Sequence, residues 1–436
     1  MLKSLRLLLP CLCFTTSCAT QPEAAVSPTP APTAIVALSP VVPLVVAPDN
    51  PDPVVNAQVQ QYLTQLAAQG FAATSQGGWF QTASKLLVNH QGTVPLSAAS
   101  LTKVATSLVA LQTFGPEHRF TTEFAATGPI DKGILKGDLV VVGDQDPFFV
   151  WEEAIAVGNL LNQLKITQVT GNVIIVGKFY MNYETDLAAA GSLFKQGINS
   201  RNWNAEAQAQ HQTLPAGTPK PTVAIAGTVQ VVPTMPPNTR SLLKHRSATL
   251  AELLKKMNRY SNNAMAEIIA NAAGGASVIA QRAAKTTGLP QSEIQLVNGS
   301  GLSPDNKISP RMVCALFRAI AQELQPKGLT IGDIFTIVGK DEGVLDERKL
   351  PRFAVVKSGS LDNVSALAGA MPTQNQGIVW FVIMNGGTNH LEGFRADQET
   401  LLQRFASKWG AANTLSPELS PTLKPDSKVA HSEISK

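Results

Sequence analysis

The sequence predicts an α/β fold whose main sheet is assembled from both ends of the chain, with the middle inserted as a smaller unit. Three observations lead there. Apolar, β-branched runs bounded by glycine, Leu139–Val142 and Val173–Val176, have the length of buried strands. Stretches at Asn56–Ala68, Ser100–Phe114, Ala248–Met257 and Ala264–Ala273 carry helical spacing or a long apolar face. Late in the chain, Phe353–Lys357, Ala366–Ala370 and Ile378–Met384 read as strands ahead of a closing helix, Glu392–Trp409. Strands that bracket helices without strict alternation argue against a wholly parallel doubly wound sheet.

Taken from the N-terminus, Lys3 and Arg6, the apolar stretch Leu7–Phe14 and the small residues Thr15 to Ala19 read as a signal peptide over 1–19. The apolar run is far shorter than the roughly 20 residues a spanning helix needs, so export with removal of the leader is expected. Cleavage after Ala19 would leave a soluble protein. Cleavage before Cys18 would leave a lipid anchor there, since Thr16-Ser17-Cys18 looks like part of a bacterial lipoprotein box, with Thr15 where that box has an aliphatic residue. Residues 20–56 are rich in Pro, Ala, Val and Ser and read as a disordered linker. Segments 57–146 and 241–412 are expected to form one discontinuous main domain, 147–240 an inserted accessory domain, and 413–436, with Pro417, Pro421 and Pro425, a disordered tail.

A chain of 436 residues with 44% hydrophobic residues can bury a large core, and its low charged fraction of 15% suits an exported protein. The net charge of +4 includes Lys3 and Arg6 of the leader, and no clustered basic face marks a nucleic-acid partner. Cys11, Cys13 and Cys18 lie in or at the leader, so no disulfide framework is available to the mature chain. Cys314, inside the helical pattern Met312–Phe317, reads as a small buried hydrophobe rather than a catalytic thiol. No His-Glu-x-x-His zinc motif and no Gly-x-Ser-x-Gly elbow occur, so neither metal nor cofactor is expected. The six His are scattered, and His245 beside Arg246 reads as a structural or surface pair.

Acyl transfer from a peptide needs a nucleophilic hydroxyl, a base within hydrogen-bond reach and donors for the oxyanion. Ser-x-x-Lys supplies the first two within one helical turn, because side chains at i and i+3 share a face. Three stretches match: Ser100–Lys103, Ser192–Lys195 and Ser241–Lys244. Only Ser100 opens a long apolar helix, whose dipole favours developing negative charge at its N-terminus. Ser192 lies in a loop-like stretch with Gly and Asn, and Ser241 precedes a cationic cluster. Two further motifs follow in order: Ser261-Asn262-Asn263 at a helix start, and Lys357-Ser358-Gly359-Ser360 after the strand Phe353–Val356. Each has a plainer reading by itself, Ser261 as a helix cap and Lys357 as an exposed strand-end charge. Three motifs in sequence order, each in a fitting helix or strand context, point instead to one acylating site.

On these motifs the chain resembles the penicillin-binding proteins of the D-Ala-D-Ala carboxypeptidase type, peptidase family S13. The resemblance extends to Phe114–Thr122, Leu135–Leu139, Gly143–Pro147, His245–Ser247, Met257–Asn263 with Glu267, Asn298–Ser303 and Leu367–Gly369. Two departures stand out: Lys-Ser-Gly-Ser replaces the family's usual Lys-Thr-Gly-Thr, and Asn298 stands where Asp is usual. The resemblance implies a penicillin-binding and serine β-lactamase-like transpeptidase domain, with an antiparallel sheet carrying helices on both faces. It implies a nucleophile, Ser100; a base, Lys103; a proton relay, Ser261; a substrate-amide ligand, Asn263; carboxylate ligands, Lys357 and Ser358; and an oxyanion hole from the backbone N–H groups of Ser100 and Ser360. The implied substrates are peptidoglycan peptides, with β-lactam antibiotics as inhibitors, in the periplasm or at the outer face of the cytoplasmic membrane. A serine β-lactamase and a non-catalytic wall- or penicillin-binding protein are the alternatives.

Overall fold

The computed structural model describes residues 44–423 and 430–435. The expected leader, Cys18 and most of the linker lie outside the described residues. Ten helices occur among them: α1 (Pro53–Ala68), α2 (Thr102–Phe114), α3 (Trp151–Gln163), α4 (Leu187–Gly197), α5 (Ala205–Thr213), α6 (Leu250–Arg259), α7 (Asn263–Ala272), α8 (Ala276–Thr287), α9 (Pro310–Leu324) and α10 (Leu391–Trp409). Local chemistry sets their ends. Asp52 accepts from the N–H groups of Val54 and Val55 ahead of Pro53, so α1 starts earlier than the apolar spacing indicates. Thr249 and Glu252 form a reciprocal capping box at α6, and Gly115, at φ +81°, ends α2.

The main sheet is antiparallel throughout, as the resemblance implies. Its strands are β1 (Gln76–Gln81), β2 (Leu86–His90), β8 (Thr336–Ile337), β9 (Val355–Leu361), β10 (Val364–Thr373) and β11 (Gly377–Gly386), in the order β8-β9-β10-β11-β1-β2. The two ends of the chain meet where Gly78 pairs with Ile383. Both faces are covered, and the two-residue period of a strand divides its side chains between them. Val355, Ala366, Ala368, Ala370, Val382 and Met384 join the core with α2 and α9. Val356, Leu367, Met371, Val379, Phe381 and Ile383 join a second core with α1 and α10. The alanines facing α2 keep that layer thin, so a helix N-terminus can approach β9.

A second six-stranded sheet contains β3 (Thr121–Ala126), β4 (Leu139–Asp144), β5 (Val173–Lys178), β6 (Val229–Val232), β7 (Arg240–Arg246) and β12 (His431–Ile434), in the order β6-β5-β4-β3-β7-β12. The neighbours β4, β5 and β6 run parallel, joined by crossovers that carry α3 and α4. Two of its strands, β3 and β4, precede residue 147, ahead of the segment expected to form the inserted unit.

The tail expected to be without structure instead contributes. Leu419 is buried in the main core, Asp333 Oδ1 accepts from the N–H groups of Thr422 and Leu423, and β12 pairs antiparallel with β7. Proline content reports on chain stiffness and not on pairing, whereas the outer edge of β7 offers unpaired backbone groups to any extended segment in reach. Leu44, Val45 and Val46, at the end of the expected linker, likewise pack on the main core. His245 is fully buried, 3.4 Å from Asp146 and 3.6 Å from Glu153, with Nδ1 3.0 Å from Ser432 Oγ of β12. It is a structural group joining β7, α3 and the tail. Cys314 is buried, and burial pushes its thiol up to about 12, as expected of a packing residue. Among the described residues no helix is long and apolar enough to cross a membrane.

Candidate active site

The site lies where the start of α2, the turn between α6 and α7, strand β9 and the loop 298–303 meet. Ser100 sits in a short 3-10 turn, Ala99–Leu101, that leads into α2. Ala99 precedes it at φ +45°, a left-handed conformation costly for a residue with a Cβ. Packing on both sides holds it. A Cβ on Gly359 of β9 would lie 2.8 Å from Ser100 N, and one on Gly301 would lie 1.8 Å from the Ala99 carbonyl oxygen. Two glycines thus allow three backbone segments to close around the half-buried Ser100 hydroxyl.

Lys103, one turn further on, is completely buried. Its Nζ donates to Ser100 Oγ at 2.9 Å, to Asn263 Oδ1 at 2.7 Å and to the Ser300 carbonyl at 2.8 Å. All three acceptors are uncharged. Burial therefore lowers the ammonium to about 7, with Glu267 pulling in the other direction. Near neutral pH a substantial fraction of Lys103 carries a lone pair, in contact with the Ser100 hydroxyl.

Ser261 follows α6 at φ +52°, another left-handed residue with a side chain. The plainer reading of Ser261 as a cap fails, because Asn262 caps α7 by accepting from Met265 N–H. That leaves Ser261 Oγ free to accept from Lys357 Nζ at 3.0 Å. Lys357 is 1% exposed, so it is not a strand-end surface charge. Its second acceptor is the Ser358 carbonyl, at 2.6 Å. Burial, with Lys103 nearby, holds its ammonium well below the ordinary lysine value.

Lys103 Nζ donates to Asn263 Oδ1, so the amide Nδ2 of Asn263 remains as the group to meet a substrate carbonyl. Ser358 is half-buried and Ser360 exposed, with Ser360 Oγ accepting from Arg395 Nη2 of α10 at 3.0 Å. The structure thus brings Ser100, Lys103, Ser261, Asn263, Lys357, Ser358 and Ser360 to one place. The other Ser-x-x-Lys matches are not poised in this way. Ser192 Oγ donates to the Ala188 carbonyl and Lys195 Nζ to the Gly227 carbonyl, while Ser241 Oγ meets Ser435 Oγ.

Motif reading does not show what holds the fourth wall. Glu267 accepts from Gly299 N–H at 3.0 Å and Ser300 N–H at 2.9 Å, pinning the loop whose Ser300 carbonyl receives Lys103. Thr106 donates to the Gly299 carbonyl, and Asn306 Nδ2 donates to both Thr102 Oγ1 and Asn298 Oδ1. The signal was present in Asn298–Ser303 and Glu267, but as sequence they carry no hint that one carboxylate receives two backbone donors. Among the described residues no group of three or more His, Cys, Asp or Glu is placed to hold a metal ion.

Known proteins resemble this chain over most of its length. The D-Ala-D-Ala carboxypeptidase 3 (S13) family matches residues 57–182 and 190–407. A carboxypeptidase of Mycobacterium tuberculosis is 25% identical over 340 residues, 67% of this chain and 71% of that protein. A penicillin G-acylated predatory endopeptidase from Bdellovibrio bacteriovorus superposes with a TM-score of 0.65 at 20% identity, covering 78% of this chain and 94% of that one. Penicillin-binding protein 4 from Haemophilus influenzae gives a TM-score of 0.61 at 17% identity, covering 79% of this chain and 98% of that one. At these identities the two structures attest the fold alone.

Proposed function

Because the chain belongs to the D-Ala-D-Ala carboxypeptidase 3 (S13) family, we propose that it cleaves the D-Ala-D-Ala end of peptidoglycan stem peptides through an ester on Ser100, outside the cytoplasmic membrane. One observation carries the reading: a buried lysine, brought to about 7, donates to the hydroxyl it must deprotonate. In the first step Ser100 Oγ attacks the penultimate D-Ala carbonyl and its proton passes to Lys103 Nζ. The oxyanion takes the backbone N–H groups of Ser100 and Ser360, which Gly359 allows to approach. The proton taken by Lys103 is relayed through Ser261, held by Lys357, to the departing D-Ala nitrogen as the C–N bond breaks, which returns Lys103 and Ser261 to their starting forms, and Asn263 Nδ2 holds the acyl side. Water then hydrolyses the ester and releases the shortened peptide.

The same acyl capture makes β-lactams inhibitors, which the acylated state of the Bdellovibrio endopeptidase supports. Glu267, the carboxylate whose charge acts on Lys103, has both oxygens on backbone N–H groups. It is therefore poorly placed to drive water onto a penicilloyl ester, which favours a peptidase over a β-lactamase.

A fluorescent penicillin is expected to label Ser100 covalently, both in purified protein and at the surface of intact cells. Peptide mapping that places the label on Ser192 or Ser241, or undiminished labelling of Ser100→Ala, would overturn the assignment. A second result is expected for Glu267→Gln. Glu267 raises Lys103 from the low value set by burial, so its neutralisation lowers Lys103 further and moves the acid limb of the acylation rate to lower pH. An unmoved limb would show that Glu267 acts on the loop alone.

A further inference from the structure

A substrate ending in free D-Ala presents a carboxylate, and the strand that receives it is short of positive charge. Lys103 and Lys357 are both enclosed, with every described hydrogen bond going to an uncharged acceptor. Burial disfavours the charged form of each. The hydroxyls of Ser358 and Ser360 can donate to a carboxylate but do not neutralise it.

Arg395 meets that need. It projects from the first turns of α10, and its Nη2 donates to the exposed Ser360 Oγ at 3.0 Å. Among the described residues it is the permanently charged donor hydrogen-bonded to the Lys357–Ser360 segment. The guanidinium stands one hydroxyl away from the strand whose Gly359 packs on Ser100. Its other partner, Glu392, lies at 2.5 Å from Nη1 but is 80% exposed, so that pair is screened by water and is weak competition for an arriving carboxylate. A guanidinium presents several donors in a plane and can keep Ser360 while also reaching a carboxylate.

We propose that Arg395, acting with the hydroxyls of Ser358 and Ser360, is a specificity-determining residue that binds the C-terminal carboxylate of the substrate. This rests on the D-Ala-D-Ala peptidase reading of the same cleft. It gives Lys357 a different task from the one its motif implies, the holding of Ser261, and gives Arg395 the charge recognition.

The test compares a stem peptide ending in D-Ala-D-Ala with its C-terminal carboxamide. The unaltered enzyme is expected to prefer the free acid. Arg395→Ala is expected to raise KM for the acid about tenfold, with a much smaller change in kcat, and to remove most of that preference. Arg395→Lys should restore part of the preference, since the charge returns without the planar fork. Glu392→Gln frees Arg395 from its competitor and should lower KM for the acid. If Arg395 served only to pin α10 through Glu392, the Arg395→Ala and Glu392→Gln enzymes would change in the same direction and equally on both peptides, which would overturn the inference. Failure of the unaltered enzyme to cleave either peptide would count against the peptidase reading instead.

Discussion

Replacing Lys103 by Met is expected to slow acylation of Ser100 by about 10²- to 10⁴-fold, the range a positioned general base supplies. Met has nearly the length of Lys and suits a fully buried position. Two effects on stability oppose each other: loss of a desolvated amine is favourable, while the Asn263 and Ser300 oxygens and the Ser100 hydroxyl lose a donor. The variant should therefore fold, which thermal unfolding read alongside the kinetics will establish. The unaltered enzyme should show an acylation rate that rises with pH through about 7, because the base works only when neutral and Lys103 loses its proton there. In Lys103→Met that limb should disappear. A folded variant that acylates at the original rate, with the same limb, would place the base elsewhere.

Gly301→Ala is expected to damage both stability and chemistry. Gly301 sits at φ +87°, and its Cβ would meet the Ala99 carbonyl oxygen at 1.8 Å, which is backbone and cannot rotate away. Left-handed strain plus the displacement needed to relieve the clash should cost about 2–4 kcal/mol of stability. Ala99 is bonded to Ser100, so the same displacement shifts the nucleophile relative to Lys103 and the oxyanion donors. A shift of about 1 Å is enough to lose about a hundredfold in acylation. Gly288 provides the comparison: it caps α8 at φ +69° with nothing within 4 Å of its would-be Cβ. Gly288→Ala should lose about 1 kcal/mol and leave acylation alone. Urea unfolding with acylation rates on both proteins decides the matter. Equal acylation in the two would mean that the nucleophile turn absorbs the clash without moving Ser100.

The expected leader and Cys18 fall outside the described residues, so the labelling of intact cells bears on the expectation of export. The disordered tail was a misreading with a definite cause. The prolines weigh against a long helix, yet Pro417 opens a 3-10 turn, Pro417–Leu419, and His431–Ile434 carries no proline and pairs with an open edge.

By itself the sequence determined part of what is encoded over a few neighbouring residues: the helices α2 and α10, the late strands of the main sheet, and that Ser100 and Lys103 share a helical face, whereas the start of α1 at Pro53 escaped it and Ser192, read as loop, lies in α4. It also carried the order of the three motifs, from which the antiparallel sheet and the acylating site follow by family resemblance. The tertiary structure alone decided which of three Ser-x-x-Lys lysines meets its serine, that Asn262 and not Ser261 caps α7, that Glu267 pins the loop whose Ser300 carbonyl receives Lys103, and that Arg395 reaches Ser360. The physical reason is distance along the chain. Lys103 meets Asn263 across 160 positions and Ser300 across 197, contacts fixed by sheet register and by glycines that let backbones close, neither of which a local pattern records. The lowered charge on Lys103 and Lys357 has the same origin, since burial is a property of the packed core and not of either motif.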